Sequence, residues 1–264
     1  MTKLILVEGL PGAGKSTISE ALAKHLANVR HYTEEAPDHP VDLDGVAVLS
    51  REEWEAEGLT DSMIHDEGSY GRLVRYAGLD EAQASRLAGK DAYSLPFASH
   101  VELMKERWAR FARRAEQEET VYLFDCAFLQ NPLTIGMIAQ DVDEEIVTRY
   151  VEDVSRLIEP LDPVLFYIEE SDVAESFRRV YAERPDGWRH GFVDYYTGQA
   201  YGIKRGLTGI EGTIAVMEER KKRELALLER LGIKSFRIAN ERDVSPEELA
   251  LRIAADIGLK TSAH

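Results

Sequence analysis

The chain reads as an α/β protein, a parallel sheet covered by helices on both faces. Three observations carry that reading. Five short runs read as strands, at Lys3–Glu8, Val29–Thr33, Val121–Phe124, Val164–Ile168 and Ser235–Ile238, the first and third of them apolar. Helix-forming stretches separate them, the spacing that parallel strands require. A glycine-rich turn, Gly9-Leu10-Pro11-Gly12-Ala13-Gly14-Lys15-Ser16, follows the first run directly and enters a helix-prone segment.

That turn matches G-x-x-x-x-G-K-[ST] in full, in the strand–loop–helix setting the pattern needs. Gly9, Gly12 and Gly14 let the backbone curl so that successive N–H groups meet one phosphate, with Pro11 and Ala13 between them. The following helix adds its positive end. Lys15 is expected to reach the β- and γ-phosphates, Ser16 to hold Mg²⁺, and Thr17 to complete the nucleotide-binding run.

The remaining elements follow in order. A helix is expected over Lys15–Ala27. Residues Glu34–Val48, rich in Asp, Pro and Gly, read as an acidic loop. Residues 49–95 read as a helical insertion, with short helices at Arg51–Gly58 and Asp61–Gly68 and two more within Tyr70–Lys90. Phe97–Glu118 places Val101, Met104, Trp108 and Phe111 at helical spacing. Pro132–Met137 reads as a loop or short helix, Asp143–Glu159 as a helix, and Val173–Ala182 as a helix entering a polar lid over 183–205. Glu211–Leu231 is a long helix closed by Gly232. Pro246 opens the terminal helix with Ser245 as its cap.

The 264 residues suffice for one large domain spanning 1–264. A formal charge of −16 repels nucleic acid and anionic membrane. The densest basic groups, Lys105–Arg114 and Glu219–Arg223, alternate with acids and read as solvated helix faces. One cysteine, Cys126, excludes an internal disulfide and reads as a packing residue. No apolar run reaches membrane-spanning length, and the first strand begins within a few residues of Met1, so the expected setting is the cytoplasm.

Carboxylates and arginines gather where the strands end. Asp125 closes its strand and is expected to hold Mg²⁺ or orient an acceptor hydroxyl. Of Glu34, Glu35 and Asp38, Glu35 is favoured as the base. His39 reads as a further polar contact or a surface group. Arg178, Arg179, Arg184 and Arg189 surround the lid, where a planar guanidinium suits phosphoryl oxygens. Of the adjacent pair Arg178 and Arg179, one is expected to point inward. Trp188, Phe192, Tyr195 and Tyr196 either line a pocket or pack the lid. Asn240, after the last strand, is placed to meet the adenine.

With these residues the chain resembles the P-loop kinase superfamily that phosphorylates nucleosides, nucleotides and other small molecules. The resemblance implies strand order 2-3-1-4-5, an acceptor-binding region after strand 2, and a lid after strand 4. It also implies ATP and Mg²⁺ as donor and metal, with Lys15, Asp125, Glu35, Arg178 and Arg184 as catalytic residues. Thr33-Glu34-Glu35-Ala36-Pro37 is similar to the acid-proline loop of thymidylate kinases, but Arg-Glu-Pro is replaced by Glu-Glu-Ala-Pro. Asp125-Cys126-Ala127 lacks the arginine that meets an acceptor phosphate. The expected activity is therefore phosphoryl transfer to a hydroxyl of a nucleoside, sugar, amino alcohol or antibiotic. A nucleoside monophosphate kinase and a nucleotide-dependent switch or assembly NTPase are the rival readings. The expected partners are the small acceptor and, in a homodimer, a second copy of the chain.

Overall fold

The computed structural model describes residues 1–34, 36–240 and 244–257. Its centre is a parallel sheet of β1 (Leu4–Gly9), β2 (Val29–Tyr32), β6 (Val121–Asp125), β7 (Val164–Glu169) and β8 (Lys234–Ala239). The order across it is β2-β6-β1-β7-β8. Counted within this sheet alone, that is 2-3-1-4-5. Three strands of a second sheet, lying between β2 and β6 in the chain, offset the labels.

Alternation along the strands divides the interior. Leu4 and Leu6 of β1, Tyr122 and Phe124 of β6, and Leu165 and Tyr167 of β7 enter one core. They meet Leu103, Met104 and Trp108 of α4 (Phe97–Gln117) and Val147, Val151 and Val154 of α6 (Glu144–Ile158) there. Ile5, Val7, Leu123, Phe166 and Ile168 point the other way. They pack on Ile18 and Leu22 of α1 (Lys15–His25) and on Leu249 and Ile253 of α11 (Pro246–Ile257). Each such fully buried aliphatic side chain contributes about 1.5–3 kcal/mol. The central strands are apolar on both faces because both faces are covered. Ser245 caps α11, its hydroxyl accepting the Glu248 N–H at 3.2 Å.

The insertion departs from its expected all-helical form. Val46–Leu49 is a strand, β3, where a loop was expected, and Asp66–Gly68 and Gly71–Arg75 are strands β4 and β5 where helices were expected. They form an antiparallel sheet in the order β3-β5-β4 with its own small core of Leu49, Trp54, Leu59, Val74 and Leu87. The helical expectation holds for α2 (Arg51–Ala56) and α3 (Glu81–Leu87), each opened by a capping box, Ser50/Glu53 and Asp80/Gln83. Asp66 sets β4 in place: Arg107 and Arg110 of α4 donate to its carboxylate, as does the Tyr70 hydroxyl.

The segment expected as a lid, residues 183–205, is helical. α7 (Val173–Glu183) leads into α8 (Asp186–Gly198) and α9 (Ala200–Arg205), and then into the long α10 (Gly209–Arg230). α5 (Gln130–Pro132) passes straight into a π-helical turn over Leu133–Ala139, at the end of β6.

Candidate active site

The glycine loop lies at the C-terminal edge of the sheet, beside the point where the chain order reverses. Gly9 leaves β1 at φ 148°, and a Cβ there would stand 2.5 Å from the Ile168 carbonyl oxygen on β7. Only glycine fits so close a backbone. Gly12 and Gly14 hold φ 85° and 83°, turning the loop into a backbone cup at the start of α1. Lys15, largely buried, folds over the loop and donates to the Leu10 carbonyl at 3.1 Å. Asn240 braces the loop from behind, its Nδ2 donating to the Ala13 carbonyl at 3.2 Å and to Glu170.

A cleft of about 710 Å³ opens over this cup. Pro11, Gly12, Gly14, Lys15, Ser16 and Thr17 form one wall, and Glu34, Gln130, Thr134 and Arg220 another. The lid contributes Arg184, Trp188, Phe192, Tyr195 and Tyr196. Its aromatic rings form a ladder down α8, Trp188 on Phe192 at 4.6 Å and Phe192 on Tyr196 at 4.5 Å, and Arg184 lies over Trp188 at 5.4 Å. These side chains both line the cleft and pack the lid. Thr134 and Tyr195 also border a second cavity of about 460 Å³, walled by Asp44, Asp91, Tyr93, Ser94 and Gln199. The two spaces share those residues as a seam.

Glu34 is the carboxylate that lines the cleft opposite the glycine loop. Gln130 donates to its Oε1 at 2.6 Å. Burial pushes its carboxyl above the ordinary range, while the nearby Lys15 ammonium pulls it down. Glu35 lies outside the described residues. Asp125 is buried at the end of β6; Oδ1 accepts from the Cys126 thiol and Oδ2 has no partner. The next two residues, Cys126 and Ala127, sit at φ 75° and 80°, a costly conformation for non-glycine residues at a strand end. Burial drives the Cys126 thiol well up, in keeping with its reading as a packing residue.

Glu8, the residue before the loop, stabilises that strained turn. Its buried carboxylate accepts the N–H groups of Phe128 at 2.8 Å, Leu129 at 3.0 Å and Gln130 at 3.1 Å. Burial pushes its carboxyl up to about 7 against the pull of those donors. A continuous chain thus runs from β1 through Glu8 and the 128–130 backbone to the Gln130 side chain and Glu34.

Several expected placements differ. Arg178 stays outside the cleft: it is exposed on α7 and paired with Glu211 at 2.8 Å, because its side of the helix faces α10 and solvent. Of the adjacent pair, Arg179 is the more enclosed, with Nη1 buried. Arg189 pairs with Asp186, leaving Arg184 as the lid arginine in the cleft. His39 is neither a surface group nor a cleft contact. It is buried 4.7 Å from Phe124, and its Nδ1 accepts the N–H groups of Val41 and Asp42. The two basic runs are not simply solvated faces, since Arg107 and Arg220 are buried.

Glu8, Gln130, Thr134 and Arg220 escaped sequence reasoning. Only Arg220 left a signal there. It shares a helical stripe with Thr213, Val216, Met217, Glu224 and Leu227, all buried, so its spacing alone marks it as inward.

No protein-family profile matches the chain, and no curated protein matches its sequence. Solved structures do resemble it. One is the YorR protein of Bacillus subtilis, in complex with phosphorylated GDP: 14% identity, 97% of this chain and 95% of that one, TM-score 0.47. Another is deoxyadenosine kinase from M. mycoides with bound dATP: 15% identity, 97% and 99%, TM-score 0.46. A third is thymidylate kinase from Candida albicans: 11% identity, 97% and 91%, TM-score 0.44. Among the described residues, no helix is long and apolar enough to cross a membrane.

Proposed function

We propose that this chain transfers the γ-phosphoryl group of ATP to a hydroxyl of a small molecule. The observation that carries the reading is one cleft that the glycine cup and Lys15 line together with a carboxylate, Glu34, and which shares Thr134 and Tyr195 with a second, acid-walled cavity. Donor phosphates belong on the cup. The acceptor belongs in the second cavity, whose walls hold Asp44 and Asp91 and, among the described residues, neither lysine nor arginine. Such walls suit a neutral hydroxylated or amine-bearing acceptor and disfavour a phosphorylated one.

In the transfer, the acceptor oxygen forms a bond to the γ-phosphorus as the bond from that phosphorus to the β–γ bridging oxygen breaks. ADP leaves, and the hydroxyl proton passes to Glu34. A carboxyl raised by burial is the better base for that proton. Gln130 fixes its orientation. Lys15 and the loop N–H groups are positioned to meet charge on the equatorial oxygens. Arg184 adds a lid cation and the aromatic ladder excludes water.

Ser16 and Asp125 would hold Mg²⁺, which neutralises phosphate charge when bound. The unpartnered, buried Oδ2 of Asp125 fits that role. No group of three or more His, Cys, Asp or Glu able to hold a metal occurs among the described residues. A single carboxylate and a hydroxyl form the sparse donor set that Mg²⁺ uses alongside substrate phosphates.

The test is a screen of neutral and amine-bearing alcohols with ATP, read by mass spectrometry for a phosphorylated product. Lys15→Ala should lose at least about a hundredfold in turnover while keeping the fold. A folded Lys15→Ala protein with near-parental activity refutes the assignment, as does nucleotide hydrolysis that no alcohol diverts.

A further inference from the structure

Arg220 is wholly buried, yet it is not used up by the fold. Its Nε donates to Glu224 at 2.8 Å, one turn further along α10, and Nη1 donates to the Thr134 hydroxyl at 3.3 Å. Glu224 is itself held by the Tyr167 hydroxyl of β7 at 2.7 Å. Nη2 has no partner at hydrogen-bond distance, although the Tyr196 hydroxyl interacts with the guanidinium. A buried guanidinium edge left open is costly, so such an edge calls for a ligand. Thr134 accepts from Arg220, which leaves its hydroxyl proton free to donate to the same ligand.

The position identifies that ligand. Arg220 lines the cleft together with Gly12, Gly14 and Lys15, and its partner Thr134 also borders the acceptor cavity. It therefore stands at the seam between donor and acceptor, where the group in transit must pass. Resting on the function proposed above, we infer that Arg220 is a catalytic residue, a fixed cation whose Nη2–H, with the Thr134 O–H, binds the γ-phosphoryl group. It differs from Arg184 in being pre-set: the buried Glu224 and Thr134 contacts hold it whether or not the lid closes. A planar guanidinium anchored on two of its nitrogens spends little conformational entropy on the third.

The test needs no acceptor. Affinities for MgADP and for the magnesium complex of a non-hydrolysable ATP analogue are measured by calorimetry. The variants are Arg220→Gln/Glu224→Gln, which removes the buried pair together, and Thr134→Val, which leaves the pair intact. The double variant should weaken the triphosphate at least about tenfold and leave ADP within about twofold, the scale of one charge-assisted contact. Thr134→Val should show the same selectivity at several-fold. Thr134→Val that binds both nucleotides as the parent does overturns the inference, and so does an equal loss for both nucleotides in either folded variant. If the parent protein binds neither nucleotide, it is the underlying phosphoryl-transfer reading that fails.

Discussion

In the proposed mechanism a single contact, from Gln130, prepares the Glu34 carboxylate to act as the base. The Gln130 amide, 2.6 Å away, fixes Oε1, while Oε2 lies 3.8 Å from the Cys126 thiol. Glu34→Gln should therefore lower turnover by about 10²-fold or more with the KM for ATP little changed, as expected when a proton acceptor is removed and phosphate binding is kept. Steady-state kinetics with the acceptor found by the screen decides it; an equal rise in the ATP KM would place Glu34 on the donor side. Two residues beyond Asp125, Ala127 carries a different constraint, a φ of 80°. Ala127→Gly relieves that strain while deleting one buried methyl, so the two effects offset and stability should change by less than about 0.5 kcal/mol. Ala21→Gly, at an equally buried position inside α1, should cost about 1–2 kcal/mol. Comparable losses in urea unfolding of the two variants would show that the positive-φ turn is unstrained.

Elements differ in how plainly the sequence announces them. Most main-sheet strands are local runs bordered by helices, so their neighbours in the chain go far to define them. The second sheet has no such self-sufficiency. β4 is Asp66-Glu67-Gly68, with no apolar residue, and it is a strand because Arg107 and Arg110, some forty positions away, close on Asp66. Strand β3 is four buried residues at the end of an acidic stretch, too short to outweigh its surroundings. The site divides the same way. The glycine cup is a contiguous motif and was legible, whereas Glu8, Gln130 and Arg220 meet only through the fold. The π-helical turn supplies a further case, because packing fixes its residues. A Cβ on Gly136 would stand 2.7 Å from Val147 Cγ2 and 2.8 Å from Phe97 Cε2. Gly136→Ala should destabilise the chain by about 1–3 kcal/mol. Gly191, inside α8, has nothing within 4 Å of its Cβ position, and Gly191→Ala should stabilise the lid helix by about 0.5–1 kcal/mol. Thermal unfolding followed by circular dichroism separates the two, and shifts of the same sign would contradict the packing assigned to the turn.

Across the whole molecule, buried titratable groups pull stability in opposite directions as pH changes. Burial lowers His39 to about 3 and His100 to about 4, from 6.5 when exposed. Below pH 6.5 the unfolded chain takes up those protons and the folded chain does not, so both residues weaken the fold on acidification. His31 and His65 are shifted the same way, chiefly by burial. Glu8 acts in the other sense. Burial raises its carboxyl from 4.5 to about 7, so between those values the folded chain holds a proton that the unfolded chain has released. Its contribution is full below pH 4.5 and is lost as pH rises through 7, at about 1.4 kcal/mol per pH unit. Glu8→Gln removes that titration and leaves the histidines in place. Relative to the parent, the variant should lose about 3 kcal/mol more stability between pH 7 and pH 4.5, whatever its stability at pH 7. Urea unfolding at half-unit steps across that window measures the difference directly. Parallel curves for the two proteins would mean that Glu8 stays ionised inside its cage of three N–H groups, and that hydrogen bonding outweighs burial at the base of the glycine loop.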